Sequence, residues 1–263
     1  MLRDIAQGPV ADLFDVQLRA KRRDRSARIG PELFLLQRAF DDCLERVTET
    51  GRSFDRALLI GCPDPAWRER LGLIVEQVSV GDPGPLFASA AGGQTIVEDR
   101  WEPVPESHDL VLAIGTLDAV NDLPLALRLV RSALRPRSLF IGAFSGGETL
   151  PQLRNAMRSA DLTQGVASPH VHPRIEPSAV APLLSQAGFQ TCVVDVDRVP
   201  VAYRSLDRLV ADLRAMGATN VLSARPRMIS RAAYAAASKA FAHASEGERT
   251  IETFEILHFA AWT

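Results

Sequence analysis

The stretch Ala57-Leu58-Leu59-Ile60-Gly61-Cys62-Pro63-Asp64-Pro65 decides how this chain reads. Four apolar residues and a glycine describe a buried strand handing over to a turn, the layout of a nucleotide-binding strand. In a turn that cradles a phosphate or cofactor, glycine stands where the backbone takes positive φ or approaches the ligand closely. Proline fixes φ near roughly −65° and removes an N–H donor. Pro63 and Pro65 therefore suggest that the scaffold is kept while the cradle is altered. Asp64, between them, has two readings, a charged partner for a cation or amine and a simple tight turn, and the turn is favoured. Cys62 beside the turn is expected to pack rather than react, because no neighbouring base can be identified.

On both sides of this stretch, short apolar runs alternate with helical periodicity. Ala57 to Ile60, Ile74 to Val80, Asp109 to Ile114 and Ser138 to Ala143 read as strands of a parallel sheet joined by crossover helices. Before them, Leu33, Leu36, Phe40, Cys43, Leu44 and Val47 recur at three- and four-residue steps, predicting a helix from Pro31 to Val47 with the proline in its first turn. Asn121 to Leu134 is predicted as a helix capped by Asn121 or Asp122, with Pro124 in its first turn. Further on, a helix is expected to bury Leu150, Leu153 and Met157, and another from Glu176 to Ala187 to close at Gly188. Thr191 to Asp195 reads as a strand, Ser205 to Met216 and Ser230 to Ala244 as helices, and Phe254 to Trp262 as a last strand. No internal repeat and no Gly/Ser-rich linker divides the chain, so residues 1–263 are expected to form one domain.

Composition narrows the function classes. The 263 residues are 46% hydrophobic and carry a net charge of −2, so no global field recruits nucleic acid or an anionic membrane. Cys43, Cys62 and Cys192 form no paired spacing, which argues against a zinc site or disulfide framework and suggests a reducing compartment. Met1-Leu2-Arg3-Asp4 lacks a signal-peptide n-region and no run is long enough to span a membrane, so the expectation is a cytoplasmic protein.

Three features are candidates for chemistry. Arg19, Lys21, Arg22, Arg23, Arg25 and Arg28 surround the single acid Asp24, as a solvated helix face or as an arm that grips a carboxylate-rich cofactor or an acidic partner. Gly146, Gly147, Glu148 and Thr149 follow a strand's C-terminal end, where open α/β sheets place ligands, and are expected to line the cleft. His170 and His172 share a proline-bounded loop, suited to a general base or to two metal ligands, yet a hydrogen-bonded loop role is the default and no metal is expected.

The order strand, Gly61 turn, helix, strand, then Glu98-Asp99-Arg100-Trp101, Asp109-Leu110-Val111-Leu112 and Leu134-Arg135-Pro136 resembles the class I S-adenosylmethionine (SAM) methyltransferases. More narrowly, the chain resembles the methyltransferase-like complex I assembly factors, kin of the biotin-pathway carboxyl methyltransferases. That likeness rests on Leu13-Phe14-Asp15 with Arg22-Arg23-Asp24-Arg25-Ser26-Ala27, on His108-Asp109-Leu110-Val111 with Val120-Asn121-Asp122-Leu123-Pro124, and on Phe140-Ile141-Gly142 with Gly146-Gly147-Glu148-Thr149-Leu150. Ser168-Pro169-His170, Ala187-Gly188-Phe189 and Asp212-Leu213-Arg214-Ala215-Met216-Gly217 extend it.

The resemblance implies a Rossmann-like α/β fold with a seven-stranded, mostly parallel sheet and an antiparallel C-terminal strand. It further implies an N-terminal helical arm over residues 1–50 and a cleft-capping helical insertion over residues 145–187. It implies a SAM site at Gly61, Cys62, Asp82, Glu98, Asp99, Trp101 and Ile114, with Gly146, Gly147, Glu148, Thr149, His170 and His172 toward the substrate or partner. Against the family pattern, Leu59 stands at the strand's acid and only Gly61 of three glycines is kept. Three functions follow: a SAM-dependent methyltransferase with a protein or small-molecule acceptor, a complex I assembly factor acting by arginine hydroxylation or partner binding, and a binding module that lost the cofactor. No catalytic residue is named.

Overall fold

The computed structural model describes residues 12–224 and 227–263; the Met1-Leu2-Arg3-Asp4 reading lies outside them. In chain order the elements are α1 (Val16–Ile29), α2 (Phe34–Glu49), β1 (Phe54–Ile60), α3 (Pro65–Leu71), β2 (Val75–Asp82), α4 (Pro85–Ala90) and β3 (Gln94–Thr95). They continue with β4 (His108–Ile114), α5 (Leu123–Ala133), β5 (Leu134–Ser145), α6 (Pro151–Gln164), α7 (Pro177–Gln186), β6 (Gln190–Tyr203), α8 (Leu206–Ala215) and α9 (Arg231–His243). The two-residue β7 (Ser245–Glu246) folds back on the last strand, β8 (Arg249–Trp262).

The sheet order is β3-β2-β1-β4-β5-β8-β6. The first five strands run parallel, and β8 lies antiparallel between β5 and β6. Side chains of the central strands alternate between two cores, as the period of two requires. Leu59, Leu110 and Leu112 pack on α2, α3, α6, α8 and α9, whereas Leu58, Ile60 and Val111 pack on α5 and α7. On the first face Phe40 of α2 stacks on Trp67 of α3, ring centres 4.6 Å apart, and Trp67 Nε1 donates to Gln37 Oε1 at 2.7 Å. Each such buried large side chain contributes about 2 kcal/mol by burial.

Several boundaries differ from those read in the sequence, each for a local reason. The helix expected from Pro31 begins at Phe34, because Glu32 N–H bonds Ala215 O and holds the preceding segment away from the helix. Helix α5, capped by Asp122, stops at Ala133, and β5 takes over at Leu134, four residues earlier than expected. β6 runs to Tyr203 rather than Asp195, and β8 begins at Arg249 rather than Phe254. Their polar residues sit on an edge strand and at helix starts, so hydrophobic alternation alone does not reveal them.

Asp64 is the N-cap of α3, its carboxylate accepting from Ala66 N–H at 2.9 Å, and Pro65 fills the first helical position, where an N–H is dispensable. Pro65 is thus accommodated as a helix start, and Pro63 precedes the cap. Gly61 is needed for space as well as conformation. Its φ is +85°, and a Cβ there would lie 2.3 Å from Ile114 O and 2.6 Å from Thr116 Cγ2. Gly51 also has positive φ, at +63°, but a Cβ there would meet nothing within 4 Å. Gly51→Ala is therefore expected to cost about 1 kcal/mol and Gly61→Ala at least about 3 kcal/mol, measured as urea-unfolding free energies.

Candidate functional site

The C-terminal ends of β1, β2 and β4 converge where open α/β sheets bind ligands. Asp82 ends β2 and is fully buried. Its Oδ1 accepts from Arg23 Nε at 2.8 Å and from Gly84 N at 2.6 Å, and its Oδ2 accepts from Arg23 Nη2 at 2.5 Å and from Cys62 N at 2.8 Å. Sixteen residues on, Glu98 is also buried, and both its oxygens accept from Arg19, at 2.8 and 2.7 Å. Arg19 reaches Thr116 O as well, at 2.5 Å. Burial opposes the charge on Arg19, and Glu98 overrides that effect, leaving its pKa above the ordinary arginine value.

Both arginines come from one face of α1, four positions apart, so one helix delivers two guanidinium groups to two carboxylates. This corrects the reading of the basic arm. Its Arg19 and Arg23 are neither solvated nor free to grip an external acid; they grip the chain's own. Lys21 and Arg28 are exposed, and Arg25 bonds Thr219 Oγ1 at 3.2 Å.

The other expected cofactor residues scatter around these pairs. Cys62 is buried, its Sγ 3.2 Å from Asp64 O, and burial together with Asp82 pushes its thiol up to about 12. Asp99 accepts from Asp122 N at 3.0 Å, tying its loop to the start of α5. Trp101 packs against the core on the α5 and α7 side, and Ile114 lies in the opposite core.

Beside the arginines a cavity of about 130 Å³ opens between α1, α2, the end of α8, the ends of β4 and β5, and the middle of β8. Thr149 and His172 line it; Gly146, Gly147, Glu148 and His170 do not. Gly146 pairs with Ile175 and Glu255 instead, Gly147 packs against the Glu176 carboxylate, Glu148 is exposed, and His170 Nε2 lies 2.8 Å from Asp161 Oδ1. His172 Nε2 accepts from Val221 N–H at 2.8 Å, and its ring meets Phe14 edge-on at 5.3 Å. Burial and then nearby Arg174 bring its pKa down to about 4, so the imidazole is neutral. Arg174, paired with Asp118, and Glu255, held by Arg198, complete the charged wall. The sequence gives no periodic or motif signal for Asp118, Arg174 or Glu255; only the fold brings them together.

Among the described residues, Asp42, Cys43 and His258 place one candidate metal-ligating atom each within 4.8 Å of one another. Arg46 already bonds Asp42 at 2.7 Å, and burial, with Asp42 next, raises the Cys43 thiol well above its ordinary range. Both effects oppose a bound cation.

Residues expected to hold SAM do not fit it in this arrangement. Pro63 and Pro65 offer no N–H, the Cys62 N–H is directed to Asp82, and both acids are saturated by guanidinium groups.

The sheet order is that of the class I methyltransferase fold. YcgJ of Bacillus subtilis superposes with a TM-score of 0.58 at 13% identity, over 85% of this chain and 98% of that one. A SAM-dependent methyltransferase of Thermotoga maritima superposes with a TM-score of 0.51 at 14% identity, over 93% and 99%. No protein-family model matches the chain. In sequence the chain is similar to the arginine-hydroxylase NDUFAF5, mitochondrial, of Rattus norvegicus, with 28% identity over 95% of this chain and 77% of that protein. The Danio rerio counterpart is 29% identical, over 95% and 83%. The malonyl-acyl-carrier-protein O-methyltransferase of Xylella fastidiosa is 32% identical over 62% of this chain and 55% of its own length.

Two outcomes follow from this geometry. Arg23→Ala strands a buried carboxylate with only two backbone donors and is expected to cost about 3 kcal/mol in urea unfolding; Arg23→Met with Asp82→Asn should recover at least half of that. For His172, the pKa is lower folded than unfolded, so its contribution is complete above roughly pH 6.5 and is lost as pH falls toward about 4. Stability is expected to drop by about 2 kcal/mol between pH 7 and pH 5, and His172→Gln should flatten that slope, read from urea midpoints at each pH.

Proposed function

We propose that this chain is a methyltransferase-fold protein that does not methylate in its closed form and that serves the assembly of respiratory complex I by engaging a protein subunit. The observation that carries this reading is the pairing of Asp82 and Glu98 with Arg23 and Arg19. A cofactor seeking these acids competes with two buried, bidentate guanidinium groups already in place, each worth several kcal/mol to displace. The altered turn supports the same reading, since Pro63 and Pro65 withdraw backbone donors. Similarity to NDUFAF5 supports a role with complex I and brings arginine hydroxylation of a subunit into the proposal. No helix among the described residues is long and apolar enough to cross a membrane, in keeping with a protein that meets its partner from the aqueous side.

One observation favours a second reading, SAM-dependent transfer to a protein or small-molecule acceptor. Asp82 and Glu98 are both retained at the ligand end of the sheet, so withdrawal of α1 would return two acids to a cofactor. Isothermal titration of S-adenosylmethionine and S-adenosylhomocysteine into protein checked for co-purified cofactor separates the two. The expected result is no heat of binding up to about 1 mM, with complex I subunits recovered by affinity capture. Micromolar binding, about −8 kcal/mol, would overturn the first reading in favour of the second.

A further inference from the structure

The cavity beside the arginines is small and unevenly charged. Its volume, about 130 Å³, lies below the roughly 300–1,000 Å³ of sites for drug-sized molecules, so an occupant has only a few carbon atoms. Arg19, Arg23 and Arg174 line it against two acids, Asp118 and Glu255. Arg19 and Arg23 are spent on Glu98 and Asp82, and Glu255 is spent on Arg198.

Arg174 is engaged on one side only. Its Nη1 meets Asp118, whereas its buried Nε has no hydrogen-bond partner. A buried guanidinium N–H without an acceptor is costly, and an incoming acceptor would relieve that cost. His172 offers a second donor. Its Nε2 accepts the Val221 N–H, so the proton of the neutral imidazole sits on Nδ1, which has no acceptor among the described residues. Behind this wall stands a further cation. Arg154 donates to the carbonyls of Thr149 and His172, at 3.3 and 3.0 Å, and forms no ion pair among the described residues. Burial and then Arg174 lower the pKa of His172; Arg19 and Arg154 act in the same direction, and Asp118 opposes them. The potential at this wall is therefore positive. Leu36, Ala39, Met216, Phe254 and Ile256 supply an apolar lining beside it.

We infer that this cavity is a binding site for a small monocarboxylate, its carboxylate taken by the unspent donors of Arg174 and His172 and its short tail by the apolar lining. Three probes of one size test it by isothermal titration into the full chain at pH 7 and constant ionic strength: butyrate, butyramide and n-butylammonium. Butyrate is expected to bind one to one, and the neutral and cationic probes about tenfold more weakly or less. Arg174→Met should lower butyrate affinity about tenfold or more with unchanged circular dichroism. Because that change strands Asp118, Arg174→Met with Asp118→Asn removes both charges together and decides if the single variant does not fold. Should neither fold, the three probes on the natural chain decide. All these variants keep Arg19, Arg23 and Pro63, so the outcome is separate from that of the S-adenosylmethionine titration. The inference is overturned if butyrate does not bind up to about 10 mM, if butyramide or n-butylammonium binds as tightly, or if a folded variant keeps full affinity.

Discussion

The pair formed by Arg23 and Asp82 organises the ligand end of this sheet. Asp82 is entirely shut off from water, and a carboxylate so placed is tolerable only if its lone pairs are met. Two backbone N–H groups, from Cys62 and Gly84, supply part of that, and the guanidinium supplies the charge. The requirement shapes the neighbouring chain. A Cβ at Gly84 would lie 2.7 Å from Arg23 Cβ, so glycine at that position lets α1 come close enough for Arg23 to reach. Gly217, at positive φ, lets the chain leave α8 against the backbone of α1 on the other side. Arg19 then falls beside Glu98 by helical repeat alone.

Much of the architecture was legible from residue patterns. Strand and helix alternation from Ala57 onward gave the parallel sheet, Asp122 and Pro124 marked the start of α5, and Gly188 and Gly217 marked helix ends. Those are local signals, each within a few residues of its effect. What escaped was non-local. A cluster of arginines on one helix has the same pattern whether it faces water or two buried acids, because the deciding partners stand 59 and 79 positions away. The same holds for His172, whose neutral state follows from Val221, Arg174 and burial. Likewise the extended β6 and β8 owe their length to pairing with each other, through Tyr203 opposite Thr250, more than to any alternation of their own.

The turn after β1 and the cavity lie on two sides of the ligand end of the sheet. On the β1 and β2 side, Pro63 and Pro65 carry no N–H and guanidinium groups pair with the two buried acids. On the β5 and β8 side a small cavity persists, lined by apolar side chains together with Arg174 and its partner Asp118.

Helix α1 is also tied to the far end of the sequence. Asp15 N–H bonds Val221 O, Ser223 N–H bonds Leu13 O, and Ser26 bonds Ala215 O. Its partners therefore include residues that leave the ribosome long after it does. At ordinary elongation rates the wait is on the order of ten seconds or more. The packing of α1 against the segment after α8 therefore forms only once chain 189 positions beyond Ser26 has been made.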